Sequence, residues 1–189
     1  MIHVPIGEFR FPSISSVIFG KGSVGRLGGK VEELGAKRAL VVTVSPILNK
    51  TDLVERIKST LGKRYVGAFG GIVQHVPRQC VIEGAGMARE VGADILISVG
   101  GSSPSDAAKA INLVLTEGDN LDAFFDKFGR LDAVPASQYE KINIFQIAIP
   151  TTLSGGEFRP AAGITNTKLK VKETIYPKSR YRKNRRSQP

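Results

Sequence analysis

Two hydrophobic periods alternate along the chain. Short, continuous apolar runs occur at residues 17–19, 39–44, 66–69, 94–99 and 144–149. Between them, apolar residues recur every three or four positions. The runs lack polar alternation, as expected of strands covered on both faces. In the intervening stretches Val24, Leu27, Val31 and Leu34 mark one helical stripe, closed by Gly35 and with Ser23 at the N-cap position. Gly28 and Gly29 weaken that helix. Leu53, Val54, Ile57 and Leu61 mark a second, starting at Thr51 or Asp52 after Ser45-Pro46 has ended the preceding strand. Pro77 opens a third through Val81, Ile82, Met87 and Val91, stopped by Gly92.

The strongest unit is a strand over 94–99, a tight loop over 100–104 and a helix over 105–115. A short helix over 120–128 and a polar link to Ile142 follow, and Pro150-Thr151-Thr152 breaks the last strand. Strand and helix alternate at spacings suited to right-handed crossovers. The predicted fold is therefore α/β, an open, mainly parallel sheet with helices on both faces. Ligands of such sheets bind beyond the carboxyl ends of the strands. The loops after Val44, Val99 and Ile149 all fall there.

Of these, the loop Gly100-Gly101-Ser102-Ser103-Pro104-Ser105-Asp106 has the most specific chemistry. Two glycines let a ligand approach the backbone, and the free N–H groups of a first helical turn favour an anion such as a pyrophosphate. The same pattern fits a plain βα turn with Ser103 capping the helix. It matches neither the Walker spacing nor the six-residue dinucleotide fingerprint. Asp106 complements a helix dipole or orders the loop, and Lys109 reads as a solvated helical lysine.

Composition narrows the class. The chain has 189 residues, 41% of them hydrophobic, enough for one domain with small appendages. The single cysteine, Cys80, excludes an internal disulfide and a multi-cysteine zinc site. No run approaches the roughly 20 apolar residues of a membrane span, and no secretory signal opens the sequence, so a cytoplasmic protein is expected. Of the net charge of +10, six come from Lys178, Arg180, Arg182, Lys183, Arg185 and Arg186, leaving +4 on the rest. A basic, disordered tail over 176–189 is expected rather than a nucleic-acid-binding face.

Three segments occur in one order: Phe19-Gly20-Lys21-Gly22, the loop from Gly100 through Lys109, and Ile149-Pro150-Thr151-Thr152-Leu153-Ser154-Gly155-Gly156-Glu157-Phe158. Together they resemble the iron-containing alcohol dehydrogenase family, most closely its maleylacetate-reductase-like branch, over roughly residues 17–175. The resemblance implies a dinucleotide-binding domain of the dehydroquinate-synthase-like kind over 17–175; the stretch before it, 1–16, with Pro5 and Pro12 and little periodicity, reads as an extended arm. It implies NAD or NADP as cofactor, a divalent metal (iron or zinc), and oxidation of an alcohol or reduction of a carbonyl. Gly100, Gly101, Ser102 and Ser103 would cradle the pyrophosphate and Asp106 would support them. Thr151, Thr152 and Ser154 would line the adenosine and nicotinamide path, with Lys172 near the cofactor.

Two departures stand out. Ser102 replaces a usual third glycine. Thr43-Val44-Ser45 replaces a carboxylate that would bind the adenine ribose, which admits NADP. The family's metal site uses an aspartate and usually three histidines beyond the last residue here. His3 and His75 match none of them. A cofactor site without the metal site and without the helical half is therefore expected, inactive alone, with a homodimer or a longer relative as partner.

Overall fold

The computed structural model describes residues 7–11, 14–128, 144–159 and 161–175. The basic tail, His3 and the polar link before Ile142 lie outside them. Within the arm expected over 1–16, Gly7–Phe11 (β1) is a strand paired antiparallel with Ile14–Phe19 (β2).

The centre is a four-stranded parallel sheet in the order β4-β3-β5-β6, from Tyr65–Phe69, Ala39–Val42, Ile95–Gly100 and Phe145–Pro150. Every residue of β3 and β5 is buried, which is why these strands lack alternation. Alternate side chains feed two cores. Ala39, Val41, Ile95, Ile97 and Val99 pack on one face with Leu27 and Val31 of α1 (Leu27–Glu33) and Val54, Ile57 and Leu61 of α3 (Leu53–Leu61). Leu40, Val42 and Leu96 pack on the other with α4 (Arg78–Glu90), α5 (Ser102–Glu117) and α6 (Leu121–Phe128). The predicted doubly covered α/β sheet is the observed one.

Four local expectations need correction. Ser45-Pro46 does not simply end a strand, because it opens a helix, α2 (Ser45–Lys50), where proline is tolerated in the first turn. Ser23 does not cap α1: Ser23–Arg26 is a 3₁₀ turn entered through Gly22 at φ 82°, and the α-helix starts at Leu27. The helix predicted from Ser105 begins three residues earlier, at Ser102, so Ser103 lies inside it and caps nothing. Finally, the segment after Thr152 folds back as an antiparallel hairpin, β7 (Ala162–Asn166) with β8 (Val171–Ile175), which had no counterpart among the predicted elements.

Candidate functional site at the carboxyl ends of β5 and β6

Gly100 ends β5 at φ 139°, a region that L side chains rarely adopt, and a Cβ there would stand 2.8 Å from Pro104 Cγ. Gly101 is the N-cap of α5 with no side-chain cap, so the first N–H groups of the helix remain for another acceptor. Pro104 has no N–H, which leaves those of Ser102 and Ser103. Ser102 is exposed. A 16-residue helix with an open first turn is the standard electrostatic seat for an anion.

The opposite wall is the segment after β6. Thr151 N–H donates to Gly100 O at 2.9 Å, which fastens the two strand ends together. A Cβ on Gly101 would sit 3.2 Å from Thr152 Oγ1, and a Cβ on Gly156 3.2 Å from Ser102 Cβ. Ser154 Oγ accepts the Gly156 N–H at 3.4 Å. Gly100, Gly101, Ser102, Ser103, Thr151, Thr152 and Ser154 are thereby gathered at one end of the sheet. Thr151 and Thr152 are exposed.

Asp106 and Lys172 stand one layer away. The Asp106 carboxylate accepts the Gly163 N–H at 3.1 Å. Lys172 crosses the face of Gly163, where any Cβ would collide with Lys172 Cε. Lys109 is not the solvated residue expected: it is 8% exposed. Its ammonium donates to Gly156 O at 2.8 Å and Ala161 O at 3.1 Å, and lies 3.5 Å from Asp106 Oδ1. Burial pushes its pKa below the ordinary value, against the opposing pull of Asp106. The signal was present in Ala107-Ala108-Lys109-Ala110-Ile111, a lone lysine flanked by small and apolar residues.

At the end of β3, Thr43 is fully buried and its hydroxyl donates to Val99 O at 2.8 Å. Ser45 Oγ accepts from Asn49 Nδ2. No carboxylate occupies Thr43-Val44-Ser45. His75 lies exposed on a turn at φ 64° beside Val76 at φ 51°, an unusual conformation for a β-branched residue. Thr165 holds that turn, donating its hydroxyl to His75 O and its N–H to Val76 O. Among the described residues no three His, Cys, Asp or Glu side chains come together as metal ligands.

An open parallel α/β sheet with helices on both faces defines the doubly wound class, whose ligands bind beyond the carboxyl ends of the strands. Comparison with known proteins makes this specific. The family model for iron-containing alcohol dehydrogenase matches residues 15–181, and the chain belongs to that family. Maleylacetate reductase 2 of Cupriavidus pinatubonensis is 34% identical over 149 residues, 79% of this chain and 33% of that protein. The NAD-dependent methanol dehydrogenase of Bacillus methanolicus is 31% identical over 161 residues, 84% of this chain and 40% of that one. The crystal structure of NADH-dependent butanol dehydrogenase A from Thermotoga maritima superposes with a TM-score of 0.74 at 26% identity, covering 94% of this chain and 43% of its own. The chain thus spans between a third and about two-fifths of the length of these relatives. Among the described residues no helix is long and apolar enough to cross a membrane.

Proposed function

We propose that residues 17–175 form the dinucleotide-binding part of an NAD(P)-dependent oxidoreductase that interconverts an alcohol and a carbonyl. The observation that carries this reading is the meeting of the open first turn of α5 with the Thr151–Thr152 wall, fastened by the 2.9 Å bond from Thr151 to Gly100. Gly100, Gly101, Ser102 and Ser103 take the pyrophosphate, with Asp106 behind them. Thr151, Thr152 and Ser154 line the adenosine and nicotinamide path, and Lys172 approaches from the hairpin. When bound, the cofactor supplies or accepts a hydride. The chain's own residues bind and orient it.

NAD and NADP are both admitted, because Thr43 points inward and Ser45 offers no negative charge against a 2′-phosphate. A small alcohol or carbonyl is the proposed substrate class. The similarity to maleylacetate reductases favours one bearing a carboxylate. A dimer or a longer relative is the proposed partner, in the cytoplasm.

A second reading is a nucleotide-binding module without turnover. A bound metal would polarise the carbonyl oxygen towards hydride, and the resemblance implies such a metal. Turnover with added metal separates the two readings.

The first test is calorimetric titration of the chain with NAD and NADP beside Ser102→Asp. Position 102 is preferable to Gly101, where a side chain would press on Thr152 regardless of any ligand. An aspartate at the first residue of a helix favours the helix, yet it puts a carboxylate where the pyrophosphate is to sit. Saturable binding by the unmodified chain, weakened tenfold or more in the variant at unchanged or raised Tm, is expected. A folded chain that binds neither dinucleotide would sink this reading.

A further inference from the structure

Both walls of the cleft refer to one ion pair, of which Lys109 is buried and Asp106 partly buried. Asp106 and Lys109 lie one helical turn apart on α5, on the face turned to the segment between β6 and β7. Lys109 Nζ holds the carbonyls of Gly156 and Ala161, and Asp106 holds the N–H of Gly163. Three points along eight residues of connecting chain are therefore tied to the helix whose first turn carries Ser102 and Ser103. The tie acts where contacts are close: a Cβ on Gly156 would press on Ser102 Cβ and Cα, at 3.2 and 3.3 Å. The same tie fixes Gly163, over which Lys172 lies.

We propose that Lys109, with Asp106, is the positioning element of the dinucleotide cleft: without touching the cofactor, it sets the gap between the first turn of α5 and the Ser154–Gly156 wall and holds the hairpin strand that carries Lys172's support. This rests on the cofactor reading above. The arrangement explains why a lysine is kept in the apolar interior. Its head meets the backbone oxygens of Gly156, which also accepts the Arg159 N–H at 3.3 Å, and of Ala161, in an interior where an unpaired polar group is costly. A methionine at 109 fills the same space but cannot donate, so the wall is free to move relative to the helix, and the anion seat loses its far side. Small displacements of a preformed site translate into large losses of affinity, because binding relies on preorganisation.

The test titrates the full chain with NADH, by nicotinamide fluorescence, at a temperature well below the thermal midpoint of each variant. Lys109→Met is expected to weaken NADH tenfold or more. Lys109→Arg, whose guanidinium can still donate to two carbonyls, is expected to return affinity to within threefold of the unmodified chain. A general loss of stability would not show that rescue. Binding by Lys109→Met within twofold of the unmodified chain would overturn the inference, as would equal losses in the two variants. Should Lys109→Met not fold, Asp106→Asn takes its place; it keeps an acceptor for Gly163 but loses the charge facing Lys109. A threefold or greater loss is then expected, and unchanged affinity overturns the inference. Failure of the unmodified chain to bind NADH or NADPH would instead sink the cofactor reading itself, so the two failures are distinct.

Discussion

Arg78, at the start of α4, grips the fully buried carboxylate of Glu173 in β8 with two hydrogen bonds of 2.6 Å, from Nε and Nη2. Its remaining nitrogen, Nη1, reaches Asp122 of α6 at 2.6 Å, and its Cζ lies 4.9 Å from the centre of the Phe125 ring. One guanidinium thus joins the hairpin, α4 and α6. Fork-to-carboxylate geometry of this kind is the strong form of the ion pair. Removing one partner leaves a charge in a place without water, which costs about 3–5 kcal/mol, whereas replacing both by apolar groups is often close to neutral.

Arg78→Met is accordingly expected to lower stability by about 3 kcal/mol or more. That corresponds to a fall in Tm on the order of 10 °C for a domain of this size. Arg78→Met/Glu173→Met is expected to recover most of the loss. Urea unfolding of the two variants decides: a double variant no more stable than the single one would mean that the hairpin is held by other contacts.

Gly28 and Gly29 look alike in the sequence, and both are poor helix residues, but their surroundings differ. A Cβ at Gly28 would meet the backbone oxygen of Thr60 at 2.5 Å, so α1 and α3 approach closely only because that residue is glycine. At Gly29 nothing stands within 4 Å. Gly29→Ala is expected to stabilise the chain by roughly 0.5–1 kcal/mol, through a less disordered unfolded state and a better helix. Gly28→Ala is expected to destabilise by about 1–3 kcal/mol, because the clash outweighs the propensity gain. Thermal melts of the two variants should move in opposite directions, and a shared sign would contradict the packing.

Cys80 is 5% exposed, burial holds its thiol above the ordinary pKa, and its Sγ–H donates to Pro77 O at 3.0 Å. Such a thiol is a poor nucleophile. Reaction with a chromogenic disulfide is expected to be slow in the folded chain and to accelerate with urea in step with unfolding followed by circular dichroism. Complete labelling within minutes in plain buffer would mean that α4 opens locally.

Strands buried on both faces announce themselves, and β3 and β5 were legible for that reason: residues 39–42 and 95–99 carry no polar residue apart from Ser98, which is itself buried. The start of α5 was not legible. Ser102-Ser103-Pro104 reads as a loop by local preference, and the helix begins there because Gly100 at φ 139° turns the chain directly into it. The glycine loop and the Thr151–Thr152 segment were readable as parts of one site, since both follow strands of a parallel sheet. Their mutual support was not, because Lys109 reaches Gly156 and Ala161, and Asp106 reaches Gly163, across 47 to 57 residues of sequence, and helical spacing does not reveal that a lysine is buried when its partners are backbone carbonyls. The β7–β8 hairpin escaped for a similar reason. Its inward residues, Ala162, Ile164, Asn166, Glu173 and Ile175, include two polar ones that are satisfied by each other and by Arg78.

The pH dependence of stability supplies the last prediction. Lys109 is held below the ordinary lysine value of 10.5, chiefly by burial, with Asp106 opposing. At pH values under its folded pKa, the residue is protonated in both folded and unfolded chains, and its burial cost is fully present. Between the folded pKa and 10.5 the unfolded chain keeps a proton that the folded chain has released. Unfolding then takes up a proton, so the contribution of Lys109 to stability rises with pH across that window. The hydrogen bonds need not be lost in the process, because a neutral amine still has two N–H groups for Gly156 and Ala161. Other titrating groups act on the folded chain too, and they largely cancel when Lys109→Met is the reference. The unfolding free energy of the unmodified chain minus that of Lys109→Met is therefore expected to climb as the pH is raised towards 10.5. A difference that falls over that range would mean that the interaction with Asp106 outweighs burial and that the ammonium, rather than the amine, is the form the fold prefers.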